Sequence, residues 1–239
     1  MEINEFETWY KKIHKSKDEE KYLESVWELM ETPYTEYHYS LILRENTNEY
    51  FKDTLWSRFG EHEDAEILLF NKLENNEDKQ FIGEIIFNLG KIVDLKNSKQ
   101  KDKLYGIIKN YVKSTDDKIR ENAIIVLGWL GSIKDLEFLS ELLLNDKNNK
   151  CRAWSASALM QIKFRRKNNT FVEKSLPYLY KAIKQEEDYL VISSIIETVR
   201  EFTKKKFDIK QKDIDILDKD KLKMAKEKIE KYFKKLYKE

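Results

Sequence analysis

One stretch constrains the fold of this chain more than any other: Asp116-Asp117-Lys118-Ile119-Arg120, followed by Ala123, Leu127, Gly128, Leu130 and Gly131. Its apolar positions recur at steps of three and four, the spacing of a helix with one buried face. An Asp start supplies the side-chain oxygen that an N-cap needs. The same pattern returns thirty-two residues later, with Arg152 under Arg120, Cys151 under Ile119, Ser155 under Ala123, Leu159 under Leu127 and Ile162 under Leu130. A repeat of this size is one helix pair. Such a pair cannot bury its apolar face alone, so successive pairs must stack into a solenoid.

Further copies extend the array. Leu89-Gly90 aligns with Leu127-Gly128 and sets Phe81, Ile85 and Leu89 on the core face, while Val191, Ile195 and Val199 mark a weaker copy near 188–202. A shorter amphipathic helix precedes each, carried by Ile67/Leu68/Leu73, Leu104/Ile107/Ile108/Tyr111, Phe138/Leu139/Leu142/Leu143 and Leu176/Leu179/Ala182/Ile183. With 6 Gly and 2 Pro the chain is poor in turn residues, and at 37% charged it can coat many amphipathic helices. The expected fold is therefore all-α, a right-handed α-α superhelix. Gly131 is expected to close its helix as a left-handed cap.

One domain is expected over 1–239. It would comprise an irregular N-terminal cap at 1–60 broken at Thr32-Pro33, repeats at 61–206, and a closing helix at 207–239 with Leu222, Ala225, Ile229, Phe233 and Leu236 in one stripe. The single Cys151 and the acidic, leaderless start point to a reducing, cytoplasmic setting without a membrane span. Residues 1–100 carry 13 Lys and Arg against 22 Asp and Glu, and residues 101–239 carry 32 against 22. The two halves differ in sign.

No catalytic constellation emerges, and neither a cofactor nor a metal is expected. His14, His38 and His62 lack the second histidine one turn away that a helical zinc pair needs, and His62-Glu63-Asp64 reads as a solvated helix start. Cys151 stands where Ile119 stands, a core position. The planar donor fork of arginine suits Arg120 and Arg152 to structural pairing. Beside the core face runs a mixed strip, with Asn122 and Trp129 on one helix edge, Trp154 and Gln161 on the next, Glu84 and Lys91 before them and Glu197 and Glu201 after. Aromatic residues in such a strip are the type that anchors partners, and this strip is the candidate binding groove. A second candidate is the acidic patch Glu61, Glu63, Asp64 and Glu66. The tyrosine-rich segment 34–39 has glutamates for neighbours, which suits a capping core or a protein contact better than base stacking.

Across roughly residues 62–202 the chain resembles HEAT and phycobilin-lyase-type repeats, on Asp117, Arg120, Ala123, Leu127, Gly128, Leu130 and Gly131. The segment Asn148–Gln161 is similar to stand-alone bacterial HEAT proteins, some of which resemble immunity proteins of polymorphic or contact-dependent toxin systems. That resemblance implies a non-enzymatic, protein-binding solenoid, with the second helix of each pair lining the concave surface and Arg120 and Arg152 forming a structural ladder with Asp117 and Asn149. It implies occlusion of a basic toxin domain, a nuclease by preference, with no role for nucleic acid or membrane. The alternative resemblance is to HEAT-like alkylpurine DNA glycosylases, for which Trp129, Trp154, Arg120, Arg152, Arg165 and Arg166 would line a DNA groove. That reading requires a basic groove.

Overall fold

Helix starts are set locally, by short polar side chains that accept from the first free backbone amides. Asp116 accepts from the amides of Lys118 and Ile119, Asn148 from Cys151, Asn168 from Phe171, Asp188 from Leu190 and Val191, and Asp218 from Lys221. Each such cap stabilises its helix by about 1 kcal/mol. The computed structural model describes residues 3–13 and 19–238; His14 lies outside them. Among the described residues there are fourteen α-helices and no strand.

The described residues divide into two compact units, 1–98 and 99–239. The first holds α1 (Ile3–Ile13), α2 (Glu19–Met30), α3 (Thr35–Leu43), α4 (Glu49–Arg58), α5 (Ala65–Glu74) and α6 (Ile82–Leu95). Here α2 packs on α4, α3 on both α4 and α5, and α5 on α6. Phe51, Leu55, Phe59, Leu69, Ile85 and Leu89 fill its core.

The second unit holds α7 (Lys101–Tyr111), α8 (Asp117–Leu130), α9 (Leu136–Asn145), α10 (Asn149–Arg166), α11 (Asn169–Gln185), α12 (Tyr189–Thr203), the short α13 (Gln211–Asp215) and α14 (Lys219–Tyr237). These make three successive pairs, α7–α8, α9–α10 and α11–α12. The second members pack side by side as an inner layer, α8 on α10 and α10 on α12, while α9 meets α11 outside it. This is the stacked, HEAT-like α-solenoid arrangement that the repeat pattern demands. α14 packs on both α11 and α12 and buries Leu222, Ala225, Ile229 and Phe233, whereas Leu236 at the far end of the same stripe stays exposed.

Close packing within the inner layer depends on one glycine. A Cβ on Gly128 would lie 3.0 Å from the Cα of Ala158 and 3.1 Å from its Cβ. Gly131 departs from expectation. It is not left-handed but extended, at φ −65° and ψ 179°. Its small size is needed because a Cβ there would meet the Leu127 carbonyl at 2.4 Å and the Asp135 carboxylate at 3.2 Å. The left-handed caps that end α10 and α12 instead fall on Lys167 and Lys204.

Candidate functional site

The inner layer is held in register by a ladder of buried charge. Arg120 donates to Asp146 through two nitrogens, at 2.7 and 2.9 Å, and also to Asp117 at 2.7 Å and to the Ser114 carbonyl at 2.7 Å. One repeat on, Arg152 makes the same fork on Glu186 at 2.7 and 3.1 Å and reaches the Asp146 carbonyl. Both acids sit just past the first helix of a pair, where the repeat alignment did not look for them. Asn149, expected beside Arg152, instead donates to Asp188. These arginines are spent on protein partners, each with every guanidinium nitrogen engaged. Cys151 is fully buried, and burial pushes its thiol up to about 12, which suits a packing residue rather than a nucleophile.

On the inner layer of 99–239 the strip residues occupy the solvent side of adjacent helices. Trp154 is 40% exposed and its indole donates to Glu121 on α8 at 3.0 Å. Asn122 donates to the Lys118 carbonyl of its own helix, and Trp129 and Gln161 are half-buried. On α12, Glu197 accepts from Gln211 at 2.6 Å. Glu201 accepts from Lys163 at 2.7 Å and from Lys204. Burial would raise the Glu201 carboxyl, but those two ammonium groups outweigh it and hold the group below its ordinary range. α10 also exposes Phe164, 51% open, which no sequence argument had selected. Its signal was its place on the same side of α10 as Trp154 and Gln161.

The other two strip residues belong to the first unit. Glu84 is half-buried on α6, and Lys91 donates to the Ser57 carbonyl at 3.0 Å beside a cleft of about 270 Å³ lined by Trp56, Ile92 and Leu95. In the acidic patch, Glu61 is taken up by a two-point bond from Arg58, at 3.0 and 2.6 Å, and Glu66 accepts from Ser98. Glu63 and Asp64 remain exposed. Arg58 also lies over the exposed ring of Trp27, 4.3 Å from its centroid.

The histidines overturn the reading of His62 as part of a solvated helix start. His38 is fully buried and His62 nearly so, with His38 Nδ1 2.6 Å from His62 Nε2. The proton arrangement follows from the neighbours. Thr32 spends its hydroxyl proton on the Leu29 carbonyl, so His38 Nε2 donates to Thr32 Oγ1 at 2.9 Å and His38 Nδ1 must accept from His62. In this arrangement His38 is neutral. Burial, and then the neighbouring His62, press His38 down to about 3, and burial lowers His62 as well. The pair is 24 residues apart in sequence and no local pattern announces it. Among the described residues no cluster of three His, Cys, Asp or Glu is placed to hold a metal ion, and no helix is long and apolar enough to cross a membrane.

No curated protein and no solved structure matches the chain. Residues 67–160 match the family model for HEAT repeats. Across that stretch the helix pairs α7–α8 and α9–α10, with α8 packed on α10 and Arg120 bonded to Asp146, have the arrangement of a HEAT-like α-solenoid.

Proposed function

We propose that this chain is a non-enzymatic binding scaffold that grips a partner protein on the solvent side of α8, α10 and α12. The observation that carries the reading is the pair of exposed aromatic side chains, Trp154 and Phe164, on an inner helix whose opposite face is fully packed. Buried polar networks around Arg120 and Arg152 serve the scaffold, which leaves the exposed aromatic strip for recognition.

The finer proposal follows the resemblance to bacterial immunity proteins. In it, the scaffold occludes a toxin domain. Residues 1–98 carry 12 Lys and Arg against 22 Asp and Glu, a net −10, and the exposed Glu63 and Asp64 lie on that unit. Such a field speeds encounter with a basic nuclease-type partner. Co-expression with the product of the adjacent open reading frame tests it. Rescue of growth and a stable complex lost on Trp154→Ala are expected. Failure to rescue, together with retardation of duplex DNA at low salt, would favour a DNA-binding role instead.

A further inference from the structure

Residues 99–239 carry 33 Lys and Arg against 22 Asp and Glu, a net +11, opposite in sign to the first unit. The excess concentrates at one edge of the inner layer. Residues 160–167 and 197–206, the C-terminal ends of α10 and α12, contain eight Lys and Arg against two Glu. Helix C-termini attract cations, and Arg166 does serve this way, donating to the Leu130 and Gly131 carbonyls at the end of α8. Of the others, Lys163 and Lys204 share the Glu201 carboxylate, Arg200 donates to Gln211 and Lys205 lies over the Tyr232 ring. Lys167 and Lys206 are exposed and carry no ion pair among the described residues. Between the two helix ends lies a cleft of about 360 Å³, to which α10 contributes Met160 and Phe164 and the end of α12 contributes Arg200, Lys204, Lys205 and Lys206.

We propose that this cleft receives an acidic, extended segment of the partner protein, seating an apolar side chain against Met160 and Phe164 and presenting carboxylates to Lys204, Lys205 and Lys206. The inference rests on the protein-binding reading and specifies the partner's chemistry. A phosphate backbone suits the cleft less well, because Met160 and Phe164 give it an apolar wall that calls for an apolar side chain, and Glu197 and Glu201 interrupt the basic lining that a charge at every unit would need. Glu201 instead has a positioning role, holding Lys163 and Lys204 on either side of one carboxylate. The net charge of residues 99–239 repels a protein basic throughout its surface and favours a partner that presents an acidic segment to this unit even where the rest of it is basic.

The test uses the full chain, fluorescence anisotropy and labelled Asp/Glu-rich peptides each bearing one Phe, Leu or Trp, with oligothymidylate alongside. Peptide binding that weakens with salt is expected, as is a loss of at least about tenfold for both Phe164→Ser and Lys204→Glu/Lys206→Glu, the size typical of an anchor residue. The substituted side chains are exposed, so unchanged thermal melts check that folding is intact. Three results would overturn the inference: no peptide bound, equal binding by the variants, or oligothymidylate displacing the peptide and binding independently of Phe164. A cognate partner held with full affinity by Phe164→Ser would sink this inference and leave the protein-binding reading standing. Absence of any protein partner would remove both.

Discussion

Asn149 donates to Asp188 across 2.8 Å, tying the first turn of α10 to the N-cap of α12. The preceding repeat makes the same rung with the chemistry exchanged, Asn148 at the N-cap of α10 donating to Asp117 in the first turn of α8 at 3.0 Å. One amide and one carboxylate are needed per rung, and either helix can supply either. This lets the cap residue do two tasks at once, since Asn148 makes the rung with Nδ2 and Asp188 with Oδ2, while the Oδ1 of each still accepts backbone amides.

The arginine fork beneath each rung is the part least tolerant of change. Side-chain exposure at the Arg120–Asp146 pair is 7% and 4%, so deleting either partner strands a buried charge. Arg120→Ala and Asp146→Ala are each expected to lower unfolding free energy by about 3–5 kcal/mol. The double substitution Arg120→Met with Asp146→Leu should lose less than the sum of the singles, because no charge is left unpaired. Urea denaturation measures all three, and additive losses would contradict a coupled pair.

Two glycines give opposite predictions. Gly106 lies on α7 with no neighbouring atom within 4 Å of the place a methyl group would take, so Gly106→Ala should stabilise by about 0.5–1 kcal/mol through helix propensity alone. Gly128→Val forces bulk into the 3.0 Å approach of α8 to α10 and should cost about 1–3 kcal/mol. Thermal melts of the two variants shifting in the same direction would be inconsistent with this packing.

Stability should fall in acid because of the histidine pair. His38 is lowered to about 3 when folded and titrates near 6.5 in the unfolded chain. Above pH 6.5 both states are neutral and the pair is neutral to stability. Between 6.5 and 3 the unfolded state binds the extra proton, so stability is lost as pH falls, by about 2 kcal/mol at pH 5 for this one group. Imidazole resonances of His38 should stay at their neutral positions at pH 5 in the folded protein. A midpoint near 6.5 would exclude the buried, neutral arrangement.

Asp135 and Ser140 contrast a satisfied polar group with an orphan. Asp135, fully buried, accepts from Tyr105 at 2.9 Å, from Lys109 at 2.6 Å and from the Ser132 amide at 2.9 Å. Burial, then the bond to Asp135, push the Tyr105 phenol up to about 12. Asp135→Ala should cost about 3 kcal/mol or more, since a lysine and a phenol lose their acceptor. The Ser140 hydroxyl is buried without a hydrogen-bond partner among the described residues, so Ser140→Ala should be neutral or stabilise by about 1 kcal/mol. Denaturant midpoints for the two variants provide the comparison.

What could be read directly from the chain was whatever repeats or acts locally. The helix start at Asp116 followed from a short polar side chain beside free amides, the inner layer from the spacing of Leu127, Leu159 and Val199, and the burial of Cys151 from its alignment with Ile119. The resemblance to HEAT repeats implies a structural role for Arg120 and Arg152, but their partners Asp146 and Glu186 lie across a connector of variable length, outside the repeating pattern. Glycine permits a left-handed cap, which is what sequence alone predicts at Gly131, whereas its neighbours Leu127 and Asp135 require only that it be small.

Tertiary structure alone decided the meetings between side chains distant in sequence. His38 finds His62, Trp154 finds Glu121, and Phe164 and Lys206 come to line one cleft, each through the packing of whole helices. Sequence periodicity determines which face of a helix is buried, since that depends on neighbours three and four residues away. Which solvent-side groups stand next to each other depends instead on the rotation and offset between helices. Those are set by close approaches such as Gly128 on Ala158, and they are where the surface chemistry of this protein is made.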